Sequence, residues 1–321
     1  MPMAAVSPGI SLAYETFGKP ADPAVLLTMG FGAQMIAWHD EFCRLLADRG
    51  RYVVRYDNRD CGLSTKFDEH PIDMSRFLAA VTTGDIETVR RLAPYSLLDM
   101  AGDAMGLLTV LGIERAHVVG SSMGGMIAQT SAIAFPSRVS TLTSMMSATG
   151  EPQYGQSTPE AQQVLFAPRP SDRPGYIAAA ERELVWSSRR YADANAIRTL
   201  AARSYDRAVY PAGITRQLAA MILSGSRADA LRSLRVPALV IHGEDDTLIQ
   251  PSGGRRTAEL VPGARLLMVP DMGHDRPEPL WGSAARRDRR AHAIAPTIAP
   301  GRLSPRVEVY DTWHSITQSQ F

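Results

Sequence analysis

The pentapeptide Gly120-Ser121-Ser122-Met123-Gly124 is the feature that most constrains how this chain can fold. It lies between an apolar, strand-like run at residues 116–120 and a segment with helical spacing at residues 123–134. A G-x-S-x-G motif in this context predicts a sharp strand-to-helix turn that exposes the central hydroxyl, and the helix N-terminus would direct the Met123 N–H at a developing negative charge. We interpret Ser122 as a nucleophile. The alternative is a turn rich in serine and glycine that has no chemical role.

Strand-like and helix-like segments alternate along much of the chain. Apolar runs or alternating patterns predict strands at 10–17, 24–29, 51–56, 116–120, 139–146, 236–241 and 264–269. Helical spacing of apolar residues occurs at 34–49, 96–111, 123–134 and 253–260. This order predicts an α/β fold with a mostly parallel sheet that is covered by helices on both faces.

Three stretches interrupt that alternation. Residues 67–94 read as a long connection with a short helical piece, and residues 151–232 hold about eighty residues without a strand that turn helical at 176–203 and 211–225. We therefore predict a first core part at 1–150, a helical cap insertion at 151–232 and a second core part at 233–281. Residues 282–321 form an atypical tail rich in Arg and Pro, which is either a non-native extension or a natural basic tail in loop conformation.

Composition excludes several classes of function. The 321 residues carry 34 basic and 33 acidic side chains, so a chain-wide electrostatic surface for nucleic acid is absent. No apolar run approaches the ~18 residues of a membrane-spanning helix, and residues 1–9 lack the features of a secretory signal, so we expect a cytoplasmic protein. Two cysteines make no disulfide framework, and no motif indicates a metal or another cofactor.

A serine nucleophile needs a base, and His274 is the histidine best placed to supply it. It follows the last predicted strand, whereas the other six histidines, His242 among them, are expected to be surface or core residues. The acid that would orient the base must lie between Ser122 and His274 in the chain order Ser, acid, His. Three adjacent candidates follow the strand at 236–241, and spacing alone leaves them equivalent: Glu244, Asp245 and Asp246.

The turn Met29-Gly30-Phe31-Gly32, after the buried strand at 24–29, is a candidate for the second half of an oxyanion site. Its glycines would let the backbone bend so that the Phe31 N–H points at the same place as the Met123 N–H. The alternative is a glycine-rich turn without a catalytic part. It is not a dinucleotide-binding fingerprint, because the third glycine and the ribose-binding acid are missing.

Taken together, these motifs resemble those of the α/β-hydrolases over roughly residues 10–281. Besides the segments already quoted, the resemblance rests on residues 56–64, YDNRDCGLS, residues 241–246, IHGEDD, and residues 272–274, MGH. It implies an eight-stranded, mostly parallel sheet with a cap after the sixth strand, and it places the acid at Asp246 with Asp245 as the fallback. Within the family the chain is most similar to the aclacinomycin methylesterase-like group of actinobacterial esterases, which implies methyl esters of bulky polycyclic acids as substrates.

Three positions depart from the pattern of that family. Met29 stands where many members have His, Asp60 replaces a common Gly, and Gln250 stands where a Pro is usual. None of the three removes a catalytic atom.

The expected activity is that of a serine carboxylic ester hydrolase that forms an acyl-enzyme with a small-molecule ester. A serine at the turn argues against the related dehalogenases and epoxide hydrolases, which carry Asp there. Lactonase, C–C hydrolase, perhydrolase and acyltransferase activities stay open on the same residues, as does a ligand-binding protein without turnover. A homodimer is a further expectation if the tail leaves a core surface uncovered. Five aromatic residues are candidates to line the pocket or only to pack the cap: Phe31, Trp186, Tyr191, Tyr205 and Tyr210.

Overall fold

A single sheet of eight strands organises residues 1–281, which are the part of the chain that the computed structural model describes. The strands are β1 (Met3–Ser7), β2 (Ile10–Phe17), β3 (Ala24–Thr28), β4 (Tyr52–Tyr56), β5 (Ala116–Ser121), β6 (Val139–Met145), β7 (Ala238–Gly243) and β8 (Arg265–Val269). Their order is β1-β2-β4-β3-β5-β6-β7-β8. Strand β2 pairs antiparallel with β1 and β4, and the pairs from β4 to β8 are parallel.

Eleven α-helices accompany the sheet within the same residues. They are α1 (Asp40–Ala47), α2 (Met74–Thr83), α3 (Ile86–Leu92), α4 (Leu97–Val110), α5 (Met123–Ala134), α6 (Pro159–Leu165), α7 (Arg173–Ala180), α8 (Ala194–Arg207), α9 (Pro211–Ser224), α10 (Ala228–Arg232) and α11 (Ser252–Leu260).

The apolar runs of the central strands divide between two layers of core, because successive side chains of a strand point to opposite faces. Leu26, Val54 and Val118 pack on one face in a cluster that includes side chains of α4 and α10. Leu27 and Val119, one residue further along, pack on the other face in a cluster that includes side chains of α1. Burial on both faces is the reason that these strands read as continuous apolar runs.

The sequence pattern missed three local features. Strand β1 has only Ala4 fully buried, so its alternation is too short to detect. Residues 67–94 contain two helices instead of one short piece, since Asp73 and Asp85 each cap a helix by accepting a backbone N–H. The predicted helix at 176–203 is interrupted before α8, which begins at a new cap, Asp193.

Parallel pairing brings the carboxyl ends of β3, β5, β6, β7 and β8 to one edge of the sheet. Thr28 of β3 lies beside Gly120 of β5, and Ser121 lies beside Met145 of β6. In open α/β sheets this edge is where ligands bind. The segments that follow these strands carry every candidate site residue of the sequence.

The predicted architecture, a mostly parallel eight-stranded sheet accompanied by helices, is confirmed. Within residues 1–281, no helix is both long and apolar enough to cross a membrane. The division into core and cap stays a prediction, and Ala228 and Leu231 of α10 pack in the core cluster that contains Val118. The interpretations of the tail at 282–321 lie outside the described residues.

Candidate active site

Ser122 occupies a strained turn between β5 and α5. Its φ of 58° and ψ of −124° lie in a region that L residues rarely adopt, which the surrounding structure must therefore impose. A Cβ at Gly120 would approach the Gly124 carbonyl oxygen to 2.0 Å, and one at Gly124 would approach the Thr28 carbonyl oxygen to 2.2 Å. The two glycines are thus required by close backbone packing on either side of the serine.

His274 lies between Ser122 and Asp246 and contacts both. Its Nε2 is 2.9 Å from Ser122 Oγ, and its Nδ1 is 2.8 Å from Asp246 Oδ2. A carboxylate only accepts hydrogen bonds, so Nδ1 carries the hydrogen and Nε2 is left as the acceptor for the serine hydroxyl. In this orientation Nε2 is the ring nitrogen that can take the proton of the Ser122 hydroxyl.

The structure separates the three acids that spacing left equivalent. Glu244 is exposed, and the half-buried Asp245 carboxylate lies 3.9 Å from the guanidinium of Arg189. Asp246 is 2% exposed and is the acid that contacts His274. Asp246, the acid that the family resemblance implied, is therefore the one that contacts His274.

The Asp246 carboxylate is held from both sides. Its Oδ1 accepts hydrogen bonds from the backbone N–H groups of Leu248 and Ile249, at 2.9 and 2.8 Å. Burial by itself raises the pKa of Asp246, but the charge of His274 and hydrogen bonds from His242 and His274 outweigh it and hold the pKa below its ordinary value. Asp246 is ionised at neutral pH as a result.

His242 is a site residue that sequence reasoning missed. Its ring is fully buried, with Nε2 2.7 Å from the Ile249 carbonyl oxygen and 3.3 Å from Asp246 Oδ2. Because a carbonyl oxygen only accepts, Nε2 carries the hydrogen, and the ring supports the turn that presents Asp246. Its position four residues before Asp246, at the end of a strand, was the available sequence signal.

The loop that carries His274 is anchored to the segment before α8. The His274 N–H donates to the Trp186 carbonyl at 2.6 Å, and the Asp275 carboxylate accepts from the Ser188 N–H at 3.0 Å. A Cβ at Gly273 would come within 2.3 Å of the Trp186 carbonyl oxygen, so the two chains pack backbone to backbone. These contacts hold the loop that carries the imidazole.

Arg276 anchors the same loop to the opposite side of the sheet edge. Its guanidinium donates to Ser121 Oγ at 2.8 Å and to the Ala37 carbonyl at 3.0 Å, and it lies 4.7 Å from the centroid of a Trp38 ring. Burial lowers the pKa of Arg276 to about 10, which still leaves it charged at neutral pH. Ser121 therefore faces away from the site into this contact.

The turn after β3 passes directly over Ser122. A Cβ at Gly30 would lie 2.9 Å from the Ser122 Cβ and 3.5 Å from its Oγ. Among residues 1–281, no acceptor takes the Phe31 N–H, and Met123 is the first residue of α5, where N–H groups lack helical acceptors. Gly30, the neighbour of Phe31, thus packs against Ser122, and Met123 follows the serine directly, so the roles of Phe31 and Met123 as oxyanion donors stay a prediction.

The predicted aromatic lining is only partly at the site. Trp186 contacts the His274 loop through its carbonyl, and Phe31 packs against a cluster with Met123. Tyr205 instead packs against Tyr176, with tilted rings whose centroids are 5.5 Å apart, and Tyr210 hydrogen-bonds to Asp68 and Arg216. In the described part of the chain no three His, Cys, Asp or Glu side chains are grouped to hold a metal ion.

Comparison with known proteins identifies the family. A family model described as the alpha/beta hydrolase fold matches residues 23–276, which is most of the chain and includes all five candidate site residues. This chain is an α/β hydrolase.

Two named relatives and one solved structure illustrate what this hydrolase is similar to. It is 27% identical to rhodomycin D methylesterase DauP of Streptomyces sp. strain C5, over 88% of this chain and 96% of that protein. It is 26% identical to a putative carbamate hydrolase, RutD, of Variovorax paradoxus, over 82% of this chain and 89% of that protein. The crystal structure of the enol-lactonase from Burkholderia xenovorans LB400 superposes with a TM-score of 0.62 at 24% identity, covering 90% of this chain and 96% of that one. The predicted resemblance to methylesterases is confirmed.

Proposed function

We propose that this α/β hydrolase is a serine carboxylic ester hydrolase that uses Ser122, His274 and Asp246 as a catalytic triad. The observation that carries the proposal is the continuous hydrogen-bonded series from Ser122 Oγ through His274 to Asp246, at 2.9 and 2.8 Å. The series begins at a strained turn and ends at a buried, ionised carboxylate. Similarity to a methylesterase supports an ester, and methyl esters of bulky acids are the substrate class we propose.

In the proposed reaction, His274 Nε2 takes the hydroxyl proton as Ser122 Oγ attacks the ester carbonyl carbon. The N–H groups of Phe31 and Met123 donate to the oxyanion of the tetrahedral intermediate. Asp246 stabilises the imidazolium, which then gives its proton to the departing alcohol. Water, activated by the same imidazole, attacks the acyl-enzyme and releases the acid and free Ser122.

The segment at 151–232 acts in this proposal as a cap over the site. Two contacts support it, each joining this segment to a different part of the site. Trp186 accepts a hydrogen bond from the His274 N–H at 2.6 Å, and Gln217 of α9 accepts one from the Gly32 N–H at 2.9 Å. A substrate between the sheet edge and α6–α9 would lie against both.

A fluorophosphonate tests the activated serine before any substrate is known. We expect one covalent adduct by intact mass, which peptide mapping assigns to Ser122. Ser122→Ala should take no label and lose about 10⁴-fold or more of the esterase activity, since nucleophile removal in serine hydrolases costs this much. Ser121→Ala is the matched control, because Ser121 faces Arg276, and it should still be labelled.

A panel of methyl esters, lactones and carbamates then separates ester hydrolysis from its alternatives. Methanol release from methyl esters, absent in Ser122→Ala, is the expected result. Absence of an adduct on the folded wild-type protein would contradict the triad and favour a ligand-binding protein. Turnover of lactones or carbamates alone would keep the triad and replace the substrate class.

A further inference from the structure

The backbone turn that would hold the oxyanion is not fixed by its own sequence. The Gly30 carbonyl oxygen accepts from the Ala33 N–H at 3.3 Å, and Gly32 has a φ of +64°. The peptide between Phe31 and Gly32 is the central peptide of this turn, and turns of the two common types differ by a flip of that peptide. Because glycine tolerates either orientation, a contact from outside the turn with the Gly32 N–H stabilises the observed one against the other.

Gln217 of α9 supplies that contact from 185 residues away in the chain. Its Oε1 accepts from the Gly32 N–H at 2.9 Å, and its Nε2 donates to the Arg59 carbonyl at 3.0 Å. One neighbour is a donor and the other an acceptor, so a single orientation of the side-chain amide satisfies both. The side chain is 1% exposed, so water does not compete for either bond.

Helix α9 is itself fixed to the loop that follows β4. Arg216 forms a bidentate pair with Asp60, with Nε to Oδ2 at 2.8 Å and Nη2 to Oδ1 at 2.9 Å. A Cβ at Gly213 would lie 2.0 Å from the Asp60 carbonyl oxygen, so the helix and loop backbones touch. Since Arg216 precedes Gln217 directly, this ion pair sets where the Gln217 amide lies.

The contacts of Asp60 explain why this residue departs from the family pattern. It has a φ of +61°, in the left-handed region where glycine is favoured and where the family commonly has glycine. The carboxylate gained there is fully buried and also accepts from the Tyr95 hydroxyl at 2.7 Å and the Phe67 N–H at 2.9 Å. Asp60 thus keeps the left-handed backbone conformation of a glycine and adds a carboxylate that pairs with Arg216 of α9.

We propose that Gln217 is a positioning residue for the oxyanion turn, held in place by the Asp60–Arg216 pair. It holds the Phe31–Gly32 peptide, and with it the turn that carries the Phe31 N–H, in place beside Ser122. Docking of α9 then completes the site instead of only covering it. This inference rests on the proposed function, because its consequence is the reactivity of Ser122.

The test compares Gln217→Leu, Gln217→Glu and Thr215→Ala with the wild-type protein. Leucine keeps the size but removes both polar atoms. A protonated glutamic acid reproduces both bonds, whereas its ionised form opposes the Arg59 carbonyl. Thr215→Ala is the matched control on the same helix, because the Thr215 hydroxyl donates to Ala212 within α9 at 2.8 Å.

The rate constant for labelling of Ser122 by a fluorophosphonate is the main readout. We expect Gln217→Leu to lower it by about 10- to 100-fold, less than deletion of an oxyanion donor, which costs about 10²–10³. With an ester, kcat should fall by a similar factor while KM stays within about twofold, because the lost interaction belongs to the transition state. Thr215→Ala should match the wild type.

The pH dependence of Gln217→Glu separates positioning from a general loss of structure. Its labelling rate relative to the wild type at each pH should rise as pH falls and the introduced carboxyl group takes up a proton. A ratio independent of pH, a folded Gln217→Leu with the wild-type labelling rate, or a higher KM with unchanged kcat would overturn the proposal.

Hydrogen exchange at the Gly32 amide keeps this inference distinct from the proposed function. Faster exchange in Gln217→Leu is expected whether or not Ser122 reacts, and unchanged exchange would contradict the inference. If the wild-type protein takes no label at all, the proposed function fails while the exchange experiment still decides whether Gln217 holds the turn.

Discussion

The serine turn and the docking of α9 on loop 57–67 are both closely packed, but they are specified in different ways. At the serine turn, glycines at 120 and 124 remove side chains so that backbone meets backbone. At the docking site, buried charges meet across long stretches of sequence, as in the pair of Asp60 with Arg216, 156 residues apart. The serine turn depends on the absence of side chains at two glycines, and the docking of α9 depends on the pairing of buried charges.

That difference decides how each region responds to substitution. A steric exclusion depends on a side chain meeting a backbone atom, and a second side-chain substitution does not remove that backbone atom. A buried ion pair depends on two residues, so removing one leaves an uncompensated charge while removing both need not destabilise. The following predictions test this contrast, from the largest expected effect to the smallest.

Gly124→Ala should have the largest effect. Its Cβ would meet the Thr28 carbonyl oxygen at 2.2 Å, so β3 or α5 must move. We expect the free energy of unfolding to fall by about 4 kcal/mol or more, or no folded protein, in a denaturant titration. Gly102→Ala in α4 is the control, since that Cβ meets nothing within 4 Å and alanine favours a helix by about 0.5–1 kcal/mol. Equal stability of the two variants would refute steric exclusion at the turn.

Arg216→Met should lower the free energy of unfolding by about 3–5 kcal/mol, because it leaves the Asp60 carboxylate buried without its cation. Asp60→Asn combined with Arg216→Met removes both charges and should regain most of that loss. Chemical denaturation of the two single variants and the double variant gives the coupling. If the double variant loses as much free energy of unfolding as the two single variants together, the two charges are not coupled, and the contrast with the serine turn fails.

Acid should lower the free energy of unfolding through His117, a buried residue of β5, the strand that leads into the serine turn. Burial, with smaller contributions from Arg51 and Arg115, lowers the pKa of His117 from 6.5 to about 4. Between these values the unfolded chain binds a proton that the folded chain does not, so stability is full above pH 6.5 and falls as pH decreases. We expect a loss of about 2 kcal/mol from pH 7 to pH 5.

His117→Gln is the comparison for this pH effect, measured by urea unfolding at both pH values. The variant should lose less stability on acidification, although His39, whose pKa burial also lowers, keeps part of the dependence. Identical pH dependence in the two proteins would contradict the lowered pKa of His117, because a group with equal pKa values in the folded and unfolded states does not make stability depend on pH.

The parts of the site that were predicted share one property, namely a local pattern. Ser122 and its flanking glycines form a motif at a strand end, and His274 follows the last strand. The choice of Asp246 over its two acidic neighbours was fixed by the turn in which Leu248 and Ile249 bind one carboxylate oxygen. No local pattern marks Gln217, which resembles any polar residue on a helix until the helix docks.

By itself, the sequence determined the α/β architecture and the positions of the serine and histidine, because strand burial and the motif around the serine leave patterns among residues close in the chain. Spacing left three acids open and the family resemblance implied Asp246. Only the tertiary structure showed its contact with His274, the role of His242, and the meeting of Asp60 with Arg216 inside the protein. Burial of polar groups is favourable only when partners from distant segments arrive together, and the linear sequence does not contain that condition.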